Sequence, residues 1–360
     1  MPAGGQFASY SDIALCQNAQ NEAFWLIIGL ALDWTTCRCQ NIFPKTTMKN
    51  LKYLLAAYLM ALPLMSWGLT GLAKFSDPYL VKEFSAAGVK QLDIQSAGSS
   101  IEVSSWAENK IYVEVFVRQN GKVVDHDDAA IQDKLKHYEV EATQTNGRVF
   151  VSIKSDKSNW KDWKNNIQFS IEVKVPAEMS TSFQSSGGSI ALSGLKGEHE
   201  IRSSGGSLKI NNCAGSLAAR SSGGSFSANS FSGDLTLESS GGSVKMDAID
   251  GSLQINSSGG SINLNEINGK VVASSSGGTI KVSMVSMEEE LSLKASGGSI
   301  SVSLPQDQGM SLDVSGGSVS SQLAFFEGVK TNGSMKGTVK GGGVAVTLAT
   351  SGGSVRVEGR

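Results

Sequence analysis

The chain has 360 residues, a net charge of −2 and a pI near 6.0, with Lys and Arg scattered along it, so composition offers no electrostatic case for a nucleic-acid partner. Glycine is abundant at 41 residues, yet 40% of the chain is hydrophobic, so the glycines punctuate apolar segments of a folded protein and do not form flexible linker. Of the four cysteines only Cys213 lies beyond residue 40, which excludes a disulfide framework in the body of the chain.

Residues 1–47 read as an N-terminal extension from a misassigned start. Their "CRC" at 37–39 lacks the spacing of a metal site, and their apolar patch "FWLIIGLAL" at 24–32 is too short to cross a bilayer. From Met48 the pattern is that of a secretory signal: Lys49 and Lys52, an uncharged apolar run from Tyr53 to Ala73, and small residues Gly71 and Ala73 at a cleavage position. Residues 48–73 are therefore expected to be a signal peptide, with an uncleaved anchor as the alternative. That signal is the chain's one expected link to a membrane, and it places the rest in the periplasm, at the outer cell surface or outside the cell.

Residues 80–183 form a β-rich lead-in region. Strands are predicted at 90–95, 100–104, 111–118, 138–144, 148–154 and 167–175, with a short helix over Asp127 to His137 whose acidic start suits the helix dipole. "SAGSSIEV" at 96–103 echoes the repeat that follows, so coils are expected to begin there, before an insertion. Within "DKSNWKDWKNN" at 156–166, Trp160 and Trp163 alternate with lysines; flat aromatic faces beside polar groups suit a sugar or a protein partner, or else cover an open end.

Residues 184–360 carry the dominant signal. SGGS, or SGGT once, begins at 186, 204, 222, 240, 258, 276, 296, 315 and 351, mostly 18 residues apart, and the last step of 36 reads as two periods. Apolar residues alternate with polar ones within each unit, at offsets of about 0, 2, 9, 11 and 13, and period two means strands. Ser203, Ser221, Ser239, Ser257 and Ser275 fall in phase with the apolar positions, so a ladder of hydroxyls should line an inner corner. The paired glycines Gly187 and Gly188, Gly205 and Gly206, Gly223 and Gly224, Gly241 and Gly242, Gly259 and Gly260 supply the positive φ of a tight corner. A second corner is set by Gly197, Gly215, Gly233, Gly251 and Gly269. The expected fold is all-β: a single-chain parallel β-solenoid, preferred as right-handed, of about ten coils and roughly 45 to 50 Å.

Two departures from the repeat follow. Glu288, Glu289 and Glu290 expand one coil and read as a solvated turn more readily than as a calcium site. Phe325 and Phe326 cannot both point inward from a strand, so one is expected to be exposed or to cap the far end; with Trp160 and Trp163 they are the candidate binding residues.

A signal peptide, "VKVPAEMSTSFQSSGGSI" at 173–190 and the tandem Ser-Gly-Gly turns resemble the putative-adhesin β-solenoid family of bacterial cell-envelope proteins, a domain of unknown function, over roughly 80–360. The resemblance implies an envelope protein and brings no catalytic residues. Acids such as Glu198, Asp234, Glu238, Asp247 and Glu266 occur singly, and His199 replaces a leucine of the neighbouring units and reads as structural. No catalytic residue, metal or cofactor is expected. The reading is a non-catalytic, adhesin-like binding protein or scaffold that contacts a glycan, an envelope polymer or a surface protein, against the alternative of a β-helix polysaccharide lyase or hydrolase.

Overall fold

The computed structural model describes residues 77–155 and 167–360. The extension, the signal segment, Trp160 and Trp163 lie outside the described residues. Residues 75–360 form one compact unit.

The strands are β1(Leu80–Ser85), β2(Gln91–Ser96), β3(Ser100–Trp106), β4(Lys110–Gln119), β5(Lys122–Val123), β6(Tyr138–Thr145), β7(Arg148–Ser155), β8(Gln168–Pro176), β9(Ser180–Ser185), β10(Ile190–Ser193), β11(Lys196–Ser203), β12(Leu208–Ser221), β13(Phe226–Ser239), β14(Val244–Ser257), β15(Ile262–Ser275), β16(Ile280–Ser286), β17(Leu291–Ala295), β18(Ile300–Leu304), β19(Met310–Ser315), β20(Ser318–Gln322), β21(Phe326–Lys330), β22(Ser334–Val339), β23(Val344–Thr350) and β24(Ser354–Gly359). Helix α1(Ala129–Leu135) starts on Asp128, whose carboxylate accepts the Ala130 N–H at 2.8 Å, and it gives Ile131 and Leu135 to the core.

The strands stack as two ladders. The first runs β1, β4, β8, β3, β10, then the first halves of β12 to β15, then β16, β18, β24 and β20. The second runs β6, β7, β2, β9, β11, then the second halves of β12 to β15, then β17, β23, β19, β22 and β21. Among the described residues pairing is parallel within the coils and antiparallel only towards the ends, in β1–β4–β8, β4–β5, β6–β7 and β19–β22–β21. This is the β-solenoid that the repeat demands, and β2 and β3 already form one of its coils, in register with β9 and β10.

Chain order and spatial order part company at both ends. The coil made of β2 and β3 is covered by β7 and β8, which come later in the chain. At the other end β23 and β24 slip between β17–β18 and β19–β20, which come earlier. The 36-residue step is therefore not two periods: it contains the antiparallel excursion β21–β22, after which the chain returns to fill an interior level.

Each of β12 to β15 bends through a non-glycine residue at positive φ, Asn212 (51°), Ser230 (56°), Ala248 (54°) and Glu266 (52°), and then passes Gly215, Gly233, Gly251 or Gly269. The short side between these points buries a further column, Leu195, Cys213, Phe231, Ile249 and Ile267, at an offset of five that alternation alone does not reveal. One continuous core runs from Ala86 to Val357.

At the Ser-Gly-Gly corner only the second glycine has positive φ: Gly188, Gly206, Gly224, Gly242 and Gly260 lie at 70° to 78°. A Cβ on Gly242 would lie 1.8 Å from the Gly224 carbonyl oxygen of the coil beneath. The first glycines, Gly187, Gly205, Gly223, Gly241 and Gly259, do not have positive φ, and a Cβ on Gly241 would come no closer than 3.5 Å to its neighbours. The positive-φ requirement read for both glycines thus belongs to the second alone. The hydroxyl column is present as expected: Ser203, Ser221, Ser239 and Ser257 are about 95% buried and each donates to the carbonyl of the first glycine of its corner, at 2.5 Å for Ser221 and 2.6 Å for Ser239. These bonds satisfy carbonyls that no ladder reaches.

Candidate functional site

Beside the double-glycine corner, on the outside of the second ladder, a groove of about 980 Å³ runs from Ser152 and Lys154 on β7 to Ser274 and Ser276. It crosses the levels of β7, β2, β9, β11 and β12 to β15, a span of about 34 Å at the usual strand spacing. Its existence follows from the repeat. The corner serines Ser186, Ser204, Ser222, Ser240 and Ser258 are small, while two positions earlier the outward column carries the longer Gln184, Arg202, Arg220, Glu238 and Asn256. A tall column beside a short one, repeated coil on coil, makes a trough.

Its polar groups are ordered along the axis. Arg202 Nη2 lies 2.5 Å from Glu200 Oε1, and Arg220 Nε lies 2.8 Å from Glu238 Oε2. The hydrogen bond and charge of Arg220 hold the Glu238 carboxyl below its ordinary value. Ser274 Oγ donates to Asn256 Oδ1 at 2.7 Å. The trough therefore presents hydroxyls, amides and guanidinium groups at successive coils, a surface suited to hydrogen-bonding a long polar ligand at many weak points.

His199 belongs to the core beside a second, smaller depression that holds Asp93, Glu198 and Asp234. It is 3% exposed; Thr181 Oγ1 lies 3.0 Å from Nδ1, and Nε2 is buried with no partner among the described residues. Burial pushes its pKa down to about 4. Cys213 is buried as well, its Sγ 3.2 Å from the Asn211 carbonyl oxygen, and burial pushes its thiol up.

Of the aromatic candidates, Phe325 is 69% exposed at a positive φ of 56°, with Lys340 Nζ 5.7 Å from its ring centroid, while Phe326 packs against the core. Both lie on the β21–β22 excursion, away from the groove. The segment that holds Trp160 and Trp163 leaves β7 at Ser155, which lines one end of the groove. In the expanded coil, Lys270 pairs with Glu290 at 3.1 Å and Glu289 at 3.8 Å. Among the described residues no three His, Cys, Asp or Glu side chains are grouped to hold a metal.

Two features escape a residue-by-residue reading. Glu102, Glu172 and Glu114 stand side by side on β3, β8 and β4. Burial and its two neighbours raise the Glu172 carboxyl above its ordinary value. And the lysines are not simply scattered: Lys209, Lys245 and Lys281, each 36 residues from the next, share one outward column. A search for residue types at twice the repeat length finds them.

Residues 89–358 match the profile of the Toastrack DUF4097 family, three quarters of the chain. The chain belongs to that family. The Toastrack assignment agrees with the resemblance carried by the Ser-Gly-Gly turns. Among solved structures this Toastrack chain is similar to a "putative cell adhesion protein" from Clostridium sporogenes, at 12% identity over 78% of this chain and 98% of that one, with a TM-score of 0.24. It is also similar to a "putative adhesin" from Bacteroides fragilis, at 16% identity over 78% and 96%, TM-score 0.36. A third is a "putative lipid binding protein" from Parabacteroides distasonis, at 14% identity over 79% and 97%, TM-score 0.30. No curated protein matches the chain.

Proposed function

We propose that this Toastrack chain is an exported, non-catalytic, adhesin-like protein of the cell envelope that holds an extended polar polymer, a glycan or another envelope polymer, along the serine-lined groove. The observation that carries the reading is the continuity of the groove through eight levels of the stack. A ligand with repeating units can make the same weak contact many times over, whereas a small substrate would use one level. The non-catalytic part is supported by the position of His199, turned into the core against Thr181 and away from the groove hydroxyls. Export is supported by the Lys49–Ala73 pattern; among the described residues no helix is long and apolar enough to cross a membrane.

The test is a glycan array and an envelope pull-down with residues 74–360. Arg202→Ala with Arg220→Ala, and separately Trp160→Ala with Trp163→Ala, are expected to lower capture at least tenfold with little change in melting temperature. Capture unaffected by the arginine pair would remove the groove from the function.

A further inference from the structure

The outer face of the first ladder carries a second ordered surface. Lys209 stands beside Ser227, Ser227 beside Lys245, Lys245 beside Asn263 and Asn263 beside Lys281, and all three lysines are exposed. One cation recurs at every second strand, about 9.6 Å apart at the usual strand spacing. Among the described residues the ion pairs between lysine and an acid are made by Lys110, Lys136, Lys154, Lys270 and Lys336, and none involves Lys209, Lys245 or Lys281. Past Ser301 the column continues to Arg356, which pairs with Glu358 at 3.4 Å. Arg360 Nη1 adds a cation 3.5 Å from Ser283 Oγ, in the next column.

The columns on either side complete the surface. Towards the double-glycine corner lies one exposed hydroxyl per strand, Ser207, Ser225, Ser243, Ser261 and Thr279. On the other side lie Asn211, Asn229, Asp247 and Asn265, and the Asp247 carboxylate accepts from Asn265 Nδ2 at 2.6 Å. In the opposite direction the lysine column passes Ala191 and ends in the row Glu102, Glu172 and Glu114. One column is thus acidic at one end and basic over the rest.

We propose that the strip from Lys209 to Arg356 binds an acidic polysaccharide carrying one anionic group per disaccharide, its chain lying along the stacking axis. Two strand spacings match the length of an extended β-linked disaccharide, so each carboxylate or sulfate meets a lysine while the sugar hydroxyls between them meet serine and asparagine. The glutamate row repels the same polymer and ends the site at the Ala191 level. This surface is separate from the groove and does not rest on the reading proposed for it. Exposed charge pairs are individually weak and screened by salt, so affinity comes from several in register.

The experiment uses the full chain and hyaluronan oligosaccharides, with carboxyl-reduced hyaluronan and phosphatidylglycerol vesicles as comparison probes. Hyaluronan is expected to bind at low salt and weaken as salt rises, and the reduced polymer is expected not to bind. Lys209→Gln, Lys245→Gln and Lys281→Gln together should weaken hyaluronan binding roughly tenfold or more, whereas Lys82→Gln, Lys122→Gln and Lys330→Gln should not. Lys245→Gln with Asn263→Lys keeps the charge but moves it by one strand, and it should lose as much as Lys245→Gln alone. A shifted variant that binds like the parent overturns the spacing argument. Binding to the vesicles but not to hyaluronan, or loss of hyaluronan binding with Arg202→Ala and Arg220→Ala instead of the lysine triple, overturns the proposal.

Discussion

The middle of the solenoid and its two ends solve the same problem in different ways. From β11 to β16 each coil rests on the one made just before it, every contact spans about one repeat, and identical corners stack on identical corners. At the ends the repeat cannot help, because the outermost coil has no neighbour on one side. There the chain leaves the stack, makes antiparallel strands, and returns to place a coil at an interior level. Regularity builds length; only long-range exceptions can finish the edges, which would otherwise present open strands.

The largest effect should come from breaking an end. Ending the chain at Lys340 removes β23 and β24, the strands between β17–β18 and β19–β20. Hydrogen exchange should then lose protection throughout residues 291–339. By contrast, deleting residues 240–257, one whole coil, should leave a shorter protein that still melts cooperatively. If the coil deletion is the more damaging, the contrast between ends and middle is wrong.

Within the middle, the two glycines of one corner should behave unlike each other. Gly242→Val forces a β-branched residue to positive φ against the Gly224 carbonyl and should cost about 4 kcal/mol or more. Gly241→Ala meets only ordinary contacts and should change stability by less than about 1 kcal/mol. Thermal melts of the two variants decide this.

His199 marks where the regular core is polar. Its pKa in the fold, about 4, lies below the ordinary 6.5, so its contribution is fully present above pH 6.5 and is lost as pH falls through about 4. The loss amounts to about 3 kcal/mol. His199→Leu with Thr181→Val, which restores the leucine of neighbouring coils, should flatten melting temperature against pH over that window.

The smallest effect belongs to the acidic end of the first ladder. The raised Glu172 pKa means that its ionised form costs stability, a cost absent below the ordinary value of 4.5 and growing as pH rises through the folded pKa. Glu172→Gln should therefore raise stability slightly at pH 7, by less than about 1 kcal/mol, seen as a small rise in melting temperature, and leave the melting temperature unchanged at pH 4.

What the sequence disclosed, and what it hid, divides along the same line. Strands of the lead-in region, the serine column and the corners were legible because each is a local pattern of period 2 or 18. The Leu195–Ile267 column was hidden behind bends at Asn212, Ser230, Ala248 and Glu266, residues that share no chemistry and break the alternation. Strand β1 and the interior placement of β24 depend on partners far away in the chain, Val115 and Ile300 among them. The groove was implicit in the alternation of serine with longer residues. The lysine row needed the register before residues 36 apart fell into one column, at every second strand. Adjacent Phe325 and Phe326 pointed to one side chain being exposed or capping the far end, and Phe325 is the exposed one.

The interior position of β23 and β24 also orders events in time. Both β18 and β20 precede β24 in the chain, so the level between them can be filled only once the last strand has been made. Until then the edges of β18 and β20 lack the partner they have in the finished fold, and each can pair with the wrong strand or with another molecule. Closure is thus a late insertion and not the continuation of a growing stack, so a chain cut short after β20 would betray itself by the gap it leaves.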